Sequence, residues 1–216
     1  MNRKWVLLSI VLLALGLTSA SASNLLVNDS FQSGDFTGWT LGTTANGDPG
    51  SGFPIVTTWP LGGSNAAKYE VGEVAFTGLF EGATLSQNFS TPGGSTILSF
   101  LWSAQGDGIH TNSDGGMFEL LLDGVVLAQY DVGQIAADLT ISSTLSDTLV
   151  VSPGTHTFEI QILRRFATVP GNTPYQYVTA ADVEGAAPAV PEPSNLVLFG
   201  SGVVGVAGLI RRKLHI

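Results

Sequence analysis

Between residues 23 and 187 no stretch holds its apolar residues at the three-to-four spacing of a helix. The chain reads instead as eleven short β-rich runs, each ended by Gly, Asn, Asp or Pro. They span residues 24–28, 39–43, 55–59, 66–71, 83–90, 96–103, 117–122, 125–130, 144–151, 155–164 and 176–184. Asp123-Gly124 joins two of them and predicts a tight hairpin, because a type I′ turn needs positive φ at both central positions. Pro153-Gly154 marks a second turn. After it Phe158, Ile160 and Ile162 alternate on one face, with His156 on the same side beside the turn as a structural edge residue. Many short strands between regular turns predict an all-β sandwich of the jelly-roll type. No internal repeat supports a propeller or solenoid. Residues 104–116 read as a polar loop between strong strands, and residues 186–189 as a small-residue linker.

The two ends obey different rules. Arg3 and Lys4, the apolar stretch 6–17 and the Ala20-Ser21-Ala22 site predict a secretory signal over residues 1–22, cut after Ala22. The C-terminal end has three parts in order: Val190-Pro191-Glu192-Pro193, an apolar run over 196–210, and Arg211-Arg212-Lys213. The two prolines hold φ near about −65° and push Val190 and Glu192 into extended backbone, which makes a short stiff rod. The run would span about 22 Å as a helix at ~1.5 Å per residue. It crosses a bilayer if Ser194 and Asn195 sink in, giving a segment 194–210, or if the bilayer thins. The three basic residues would stay cytoplasmic as a membrane stop. That leaves residues 23–187 as the one exported domain, long enough to bury a core.

Charge narrows the partners. Five of the eight basic residues lie in the end segments, so the domain keeps Lys68, Arg164 and Arg165 against 16 acidic residues, a formal balance of −13. Nucleic acid is excluded as a partner, because its binding rests on phosphate neutralisation. Cations, neutral sugars and basic partners remain, beside plain solubility. With no cysteine in the chain, disulfides, thiolate metal sites and a Cys nucleophile are excluded as well.

The C-terminal end, by its Val190-Pro191-Glu192-Pro193 stretch, Gly-rich apolar run and Arg211-Arg212-Lys213, resembles the PEP-CTERM sorting signal of exopolysaccharide-producing Gram-negative bacteria. The resemblance implies recognition by an exosortase, transient residence in the inner membrane, and delivery to the cell surface or extracellular matrix. The opening Asn24-Leu25-Leu26-Val27-Asn28 through Gly38-Trp39, with Leu85–Phe89, Ile97–Phe100, Gly154–Phe158 and Val178–Val183, resembles galactose-binding-like jelly rolls, which include many carbohydrate-binding modules. In that family a structural calcium ion often joins the first strand to the last. The resemblance puts its late ligand at Asp182 and its early one at Gln32, where an amide replaces the family's acid. The alternative is that both side chains only bond to backbone.

Catalytic patterns are absent: no G-x-S-x-G elbow, no H-E-x-x-H, and two histidines in the domain, His110 and His156. Glu70 and Glu73 would point to opposite faces of a strand. Loop 107–115 fails the EF-hand pattern, since His110 and Leu121 stand where Asp and Glu are needed. Trp39 is expected in the core. Trp59, beside Pro60 and Gly62-Gly63, is expected at an exposed loop edge where its ring can stack on a sugar. Three readings stand: an exported, non-enzymatic surface or matrix protein first, a carbohydrate-binding module that holds exopolysaccharide second, and a glycan-active enzyme third.

Overall fold

A computed structural model describes residues 23–185. The expected signal peptide (1–22, with Ala20 and Ala22) and sorting segment (188–216, with 190–193, 194–210 and 211–213) lie outside the described residues. The described chain forms twelve strands: β1 (Thr40–Thr43), β2 (Gly47–Asp48), β3 (Ile55–Thr58), β4 (Asn65–Tyr69), β5 (Gly72–Glu73) and β6 (Glu81–Thr91), then β7 (Gly94–Gln105), β8 (Met117–Leu122), β9 (Val125–Asp131), β10 (Thr140–Val151), β11 (Gly154–Arg164) and β12 (Tyr175–Glu184). One antiparallel sheet runs β1-β6-β11-β8-β9 and the other β10-β7-β12-β4-β3, while β2 and β5 form a small ribbon. This is the all-β sandwich that the sequence predicts.

Alternation builds the core between the sheets. Phe158, Ile160 and Ile162 of β11 face inward, and so do Leu85 and Phe89 of β6, Leu98, Phe100 and Trp102 of β7, and Val178 of β12. Trp39 is buried in this cluster, as expected, with its ring edge-on to Phe158 at 6.2 Å. At the β8–β9 turn Asp123 and Gly124 have φ of 51° and 78°, the left-handed pair that the hairpin requires.

The expected first strand does not form. In segment 24–28 only Asn24 is bridged, to Glu184, and the backbone turns left-handed at Asn28 and again at Phe31. Apart from a main-chain bond from Leu25 N–H to Val183 C=O at 3.0 Å, the segment is held by side chains. Gln87 of β6 points inward, accepts from Val27 N–H at 2.7 Å and donates to Val27 C=O at 3.0 Å. Asn24 donates to Ala181 C=O and accepts from the N–H groups of Leu26 and Val183. A second inward glutamine, Gln176, joins Val71 N–H to Gly115 C=O in the same way. Each buried amide thereby satisfies donor and acceptor on irregular backbone.

The domain has two poles. The chain enters and leaves at one of them, where Asn24 pairs with Glu184. The other gathers the loops around Val71, Gly115 and Phe166, tied through Gln176 and through Glu73 N–H donating to Phe166 C=O at 3.0 Å.

A histidine clamp closes the β10–β11 and β8–β9 turns. His156 Nδ1 lies 2.7 Å from Asp123 Oδ2 and Nε2 lies 2.9 Å from Ser152 C=O, while Thr157 N–H donates to Asp123 Oδ1. Both ring nitrogens face acceptors, so the imidazolium satisfies both. The Asp123 hydrogen bond, with the Ser152 carbonyl behind it, raises His156 above its usual 6.5. The same hydrogen bond lowers Asp123 below its usual 3.8. A histidine raised on folding contributes stability that is present below 6.5 and lost as pH rises through its folded value. We predict that the melting temperature falls as pH rises above 6.5, and that His156→Gln flattens this slope. Thermal melts across pH check it; an unchanged slope in the variant would contradict the clamp.

Candidate functional site

The outer face of the second sheet holds a cluster of rings, amide and cation. On β4, Ala67 and Tyr69 point to the core, so Ala66 and Lys68 point outward. On β12, Gln176 and Val178 point inward, so Tyr175 and Tyr177 point outward. The register sets Tyr177 opposite Lys68 on one side and Ser103 on the other, and Tyr175 opposite Gln105. Lys68 Nζ lies 3.4 Å from the Tyr175 ring centroid, 5.6 Å from that of Tyr177 and 5.7 Å from that of Phe53. Tyr177 OH donates to Gln105 Oε1 at 2.8 Å. Burial pushes the Tyr177 phenol up to about 12, with Tyr175 adding to it, so it stays a neutral donor. Burial lowers the Lys68 ammonium, and the Glu70 charge works the other way.

Trp59 joins this cluster, but not as an exposed ring. It is 8 % exposed and forms a floor with Ala66 and Tyr177, edge-on to Tyr177 at 6.4 Å. The turn explains the correction. Trp59 N–H donates to Ser64 C=O and Gly62 N–H donates to Trp59 C=O, which returns the chain onto β4 and sets the indole against Ala66. Half-buried Tyr175 packs on this floor, and half-buried Phe53 lies beside Tyr175 with ring centroids 6.3 Å apart.

Along the same face the outward rows of β7 and β10 carry only Ser, Thr, Gln, Leu, Ile and Val, from Ser95 to Gln105 and from Thr140 to Val150. No charge interrupts these rows in a domain of −13. Rings, an amide and an ammonium beside charge-free rows of hydroxyl groups match the needs of a neutral polyhydroxylated ligand.

The two proposed calcium ligands part company. Gln32 is exposed. The early acid beside Asp182 is Asp29, whose C=O accepts from Ala181 N–H at 3.0 Å. The left-handed turn at Asn28 and the bulge between Thr179 and Asp182 bring these acids together, and one-dimensional matching to Gln32 missed both. Burial raises the Asp182 carboxyl, the charges of Glu184 and Asp29 add to it, and the Val183 N–H opposes them. Asp182 Oδ1 is buried without a partner, so a cation fits its chemistry. Among the described residues no three His, Cys, Asp or Glu side chains are grouped to hold a metal, so main-chain oxygens would have to complete the shell.

The other polar groups serve structure. Glu73 is buried and accepts from the N–H groups of Thr77 and Gly78. Asp107 turns loop 107–115 by accepting from the N–H groups of Ile109 and His110, and no EF-hand forms. A cleft of 220 Å³ between β1, β4 and β6 is lined by Leu41, Pro49, Pro54, Tyr69 and Thr84 among others, with no charged side chain.

No curated protein matches the chain. TmCBM61, solved with β-1,4-galactotriose, is 13% identical over 75% of this chain and 98% of its own, with a TM-score of 0.45. The K1 cleaved adhesin domain of Lys-gingipain from Porphyromonas gingivalis is 11% identical over 73% and 96%, with a TM-score of 0.44. A family 35 carbohydrate-binding module from Clostridium thermocellum is 14% identical over 68% and 92%, with a TM-score of 0.34. Residues 189–213 match the PEP-CTERM protein-sorting motif. The chain therefore ends in a PEP-CTERM sorting motif, which implies a protein exported as a membrane-anchored precursor and processed by an exosortase.

Proposed function

We propose that the mature domain is a non-catalytic module that holds a neutral glycan, an exopolysaccharide chain, at the surface or in the matrix of a Gram-negative cell. The charge-free outward rows of β7 and β10, with Gln105 at their end next to Tyr175 and Lys68, are the observation that carries this reading. Tyr175 and Phe53 supply ring faces for the C–H groups of a sugar, and Lys68 and Gln105 supply polar partners for its hydroxyls. The non-catalytic part is supported by the use of His156 and Glu73 in structural hydrogen bonds. A glycan array with the domain 23–186, which carries its own core, tests the reading. Binding to neutral polysaccharide is expected, and Tyr175→Ala is expected to weaken it about tenfold, roughly 1.4 kcal/mol. No bound glycan, or undiminished binding by the variant, would overturn it.

The same proposal includes a structural calcium ion at Asp29 and Asp182, at the pole where the chain enters and leaves. The orphaned Asp182 oxygen, with the charges of Glu184 and Asp29 acting on its carboxyl, supports it. A carboxyl raised on folding contributes stability that is present below its usual 3.8 and lost as pH rises through the folded value. Without a cation, Asp182 therefore weakens the fold at neutral pH. With one bound to the folded state only, it strengthens it. In chelator, Asp182→Asn is expected to melt no lower than wild type; with calcium, only wild type is expected to rise. A wild-type melting temperature indifferent to chelator would remove the ion.

A further inference from the structure

The loop pole presents an apolar crest that the glycan face and the sorting motif leave unused. Val74 is 69% exposed, Phe76 68%, Leu79 63%, Val169 49% and Phe166 38%. None belongs to the core between the sheets. The crest is nevertheless built firmly. Buried Glu73 accepts from the N–H groups of Thr77 and Gly78 and so fixes the turn that carries Phe76 and Leu79. Gly72 lies against the second loop so closely that a Cβ there would meet Phe166 C=O at 2.3 Å. Phe76 and Phe166 then stack across the two loops at 6.1 Å and 25°. Exposed apolar side chains held in place this way mark a contact surface.

We propose that the crest is a two-fold contact between two copies of this chain. Charge selects this occupant. Residues 74–80 and 166–169 hold no charged side chain, whereas the rest of the domain balances at −13. Two copies can therefore meet here without setting carboxylate against carboxylate. The rim is self-complementary: Arg165 and Asp131 lie 3.8 Å apart, with side chains 52% and 47% exposed. Arg165 is held at the crest by its guanidinium, 4.0 Å over the Phe80 ring. A two-fold axis through the crest sets Arg165 of each copy against Asp131 of the other. Full cover of the five side chains would bury on the order of 500 Å² per copy, roughly 1,000 Å² in all, near the floor for a specific interface. The contact is therefore weak in dilute solution and gains strength where many copies are concentrated on one surface. It stands independently of the glycan reading.

Sedimentation equilibrium of the domain 23–186 tests it across a wide concentration range. A reversible monomer–dimer equilibrium is expected. Phe76→Ser with Leu79→Ser is expected to stay monomeric throughout at an unchanged melting temperature. Arg165→Asp is expected to weaken dimerisation, and Arg165→Asp with Asp131→Arg to restore it. A wild type that is monomeric at every concentration would overturn the proposal. So would dimerisation that survives the serine pair, or a charge swap that fails to restore it. Flotation of a monomeric wild type with phosphatidylethanolamine–phosphatidylglycerol vesicles, lost in the serine pair, would overturn it in favour of a lipid surface.

Discussion

Trp102 of β7 reaches across the sandwich and stacks on Phe118 of β8 and Tyr130 of β9, each with its ring centroid 4.7 Å away. These rings belong to opposite sheets, and with no cysteine in the chain nothing covalent joins the sheets beyond the strand connections. Stability therefore rests on cross-sheet burial of this kind, in which aromatic pairs contribute about 0.5–1.5 kcal/mol beyond their buried area. A domain without disulfides leans on packing and hydrogen bonds, and its buried amides are used accordingly. Gln87 and Gln176 carry irregular backbone that no strand supports.

The strands and the hairpin were legible because both are local. Phe158, Ile160 and Ile162 declare their shared face by spacing, and Asp123-Gly124 declares its turn by conformational preference. What was not legible depends on groups distant in sequence. The run 24–28 has the composition of a strand, yet Gln87, 60 residues from Val27, takes the place of a neighbouring strand. Trp59 stands in a turn-rich stretch that reads as exposed, and only the return of the chain onto β4 covers its ring. Asp29 meets Asp182 because of a left-handed turn and a bulge, neither of which has a glycine to announce it. Glu73 reads as one more surface acid, since its partners are main-chain N–H groups of a loop that it shapes itself.

The three basic residues of the domain all sit over aromatic rings: Lys68 over Tyr175, Arg164 over Phe166 and Arg165 over Phe80. In so acidic a chain each cation is placed where a ring can hold it. Arg164 also donates from Nε to Asp114 C=O, which ties it to the loop pole. The chain enters and leaves at the opposite pole, beside Asp29 and Asp182. Attachment and contact are thereby separated along the domain. One pole holds the ends of the domain, one sheet face carries the charge-free rows of β7 and β10, and the far pole carries apolar loops.

Export and sorting are tied to the motif at residues 189–213. The direct test replaces Pro191-Glu192-Pro193 with Ala-Ala-Ala in the full chain and reads the C-terminus of the recovered protein by mass spectrometry after cell fractionation. Proline restricts backbone freedom and so lowers the ordering cost of recognition, and the alanines remove both prolines and the single charge between them. The account predicts a wild type trimmed near the motif, and a variant that is exported but remains untrimmed in the membrane fraction. A variant recovered from the cell surface with the same trimmed end as wild type would contradict it.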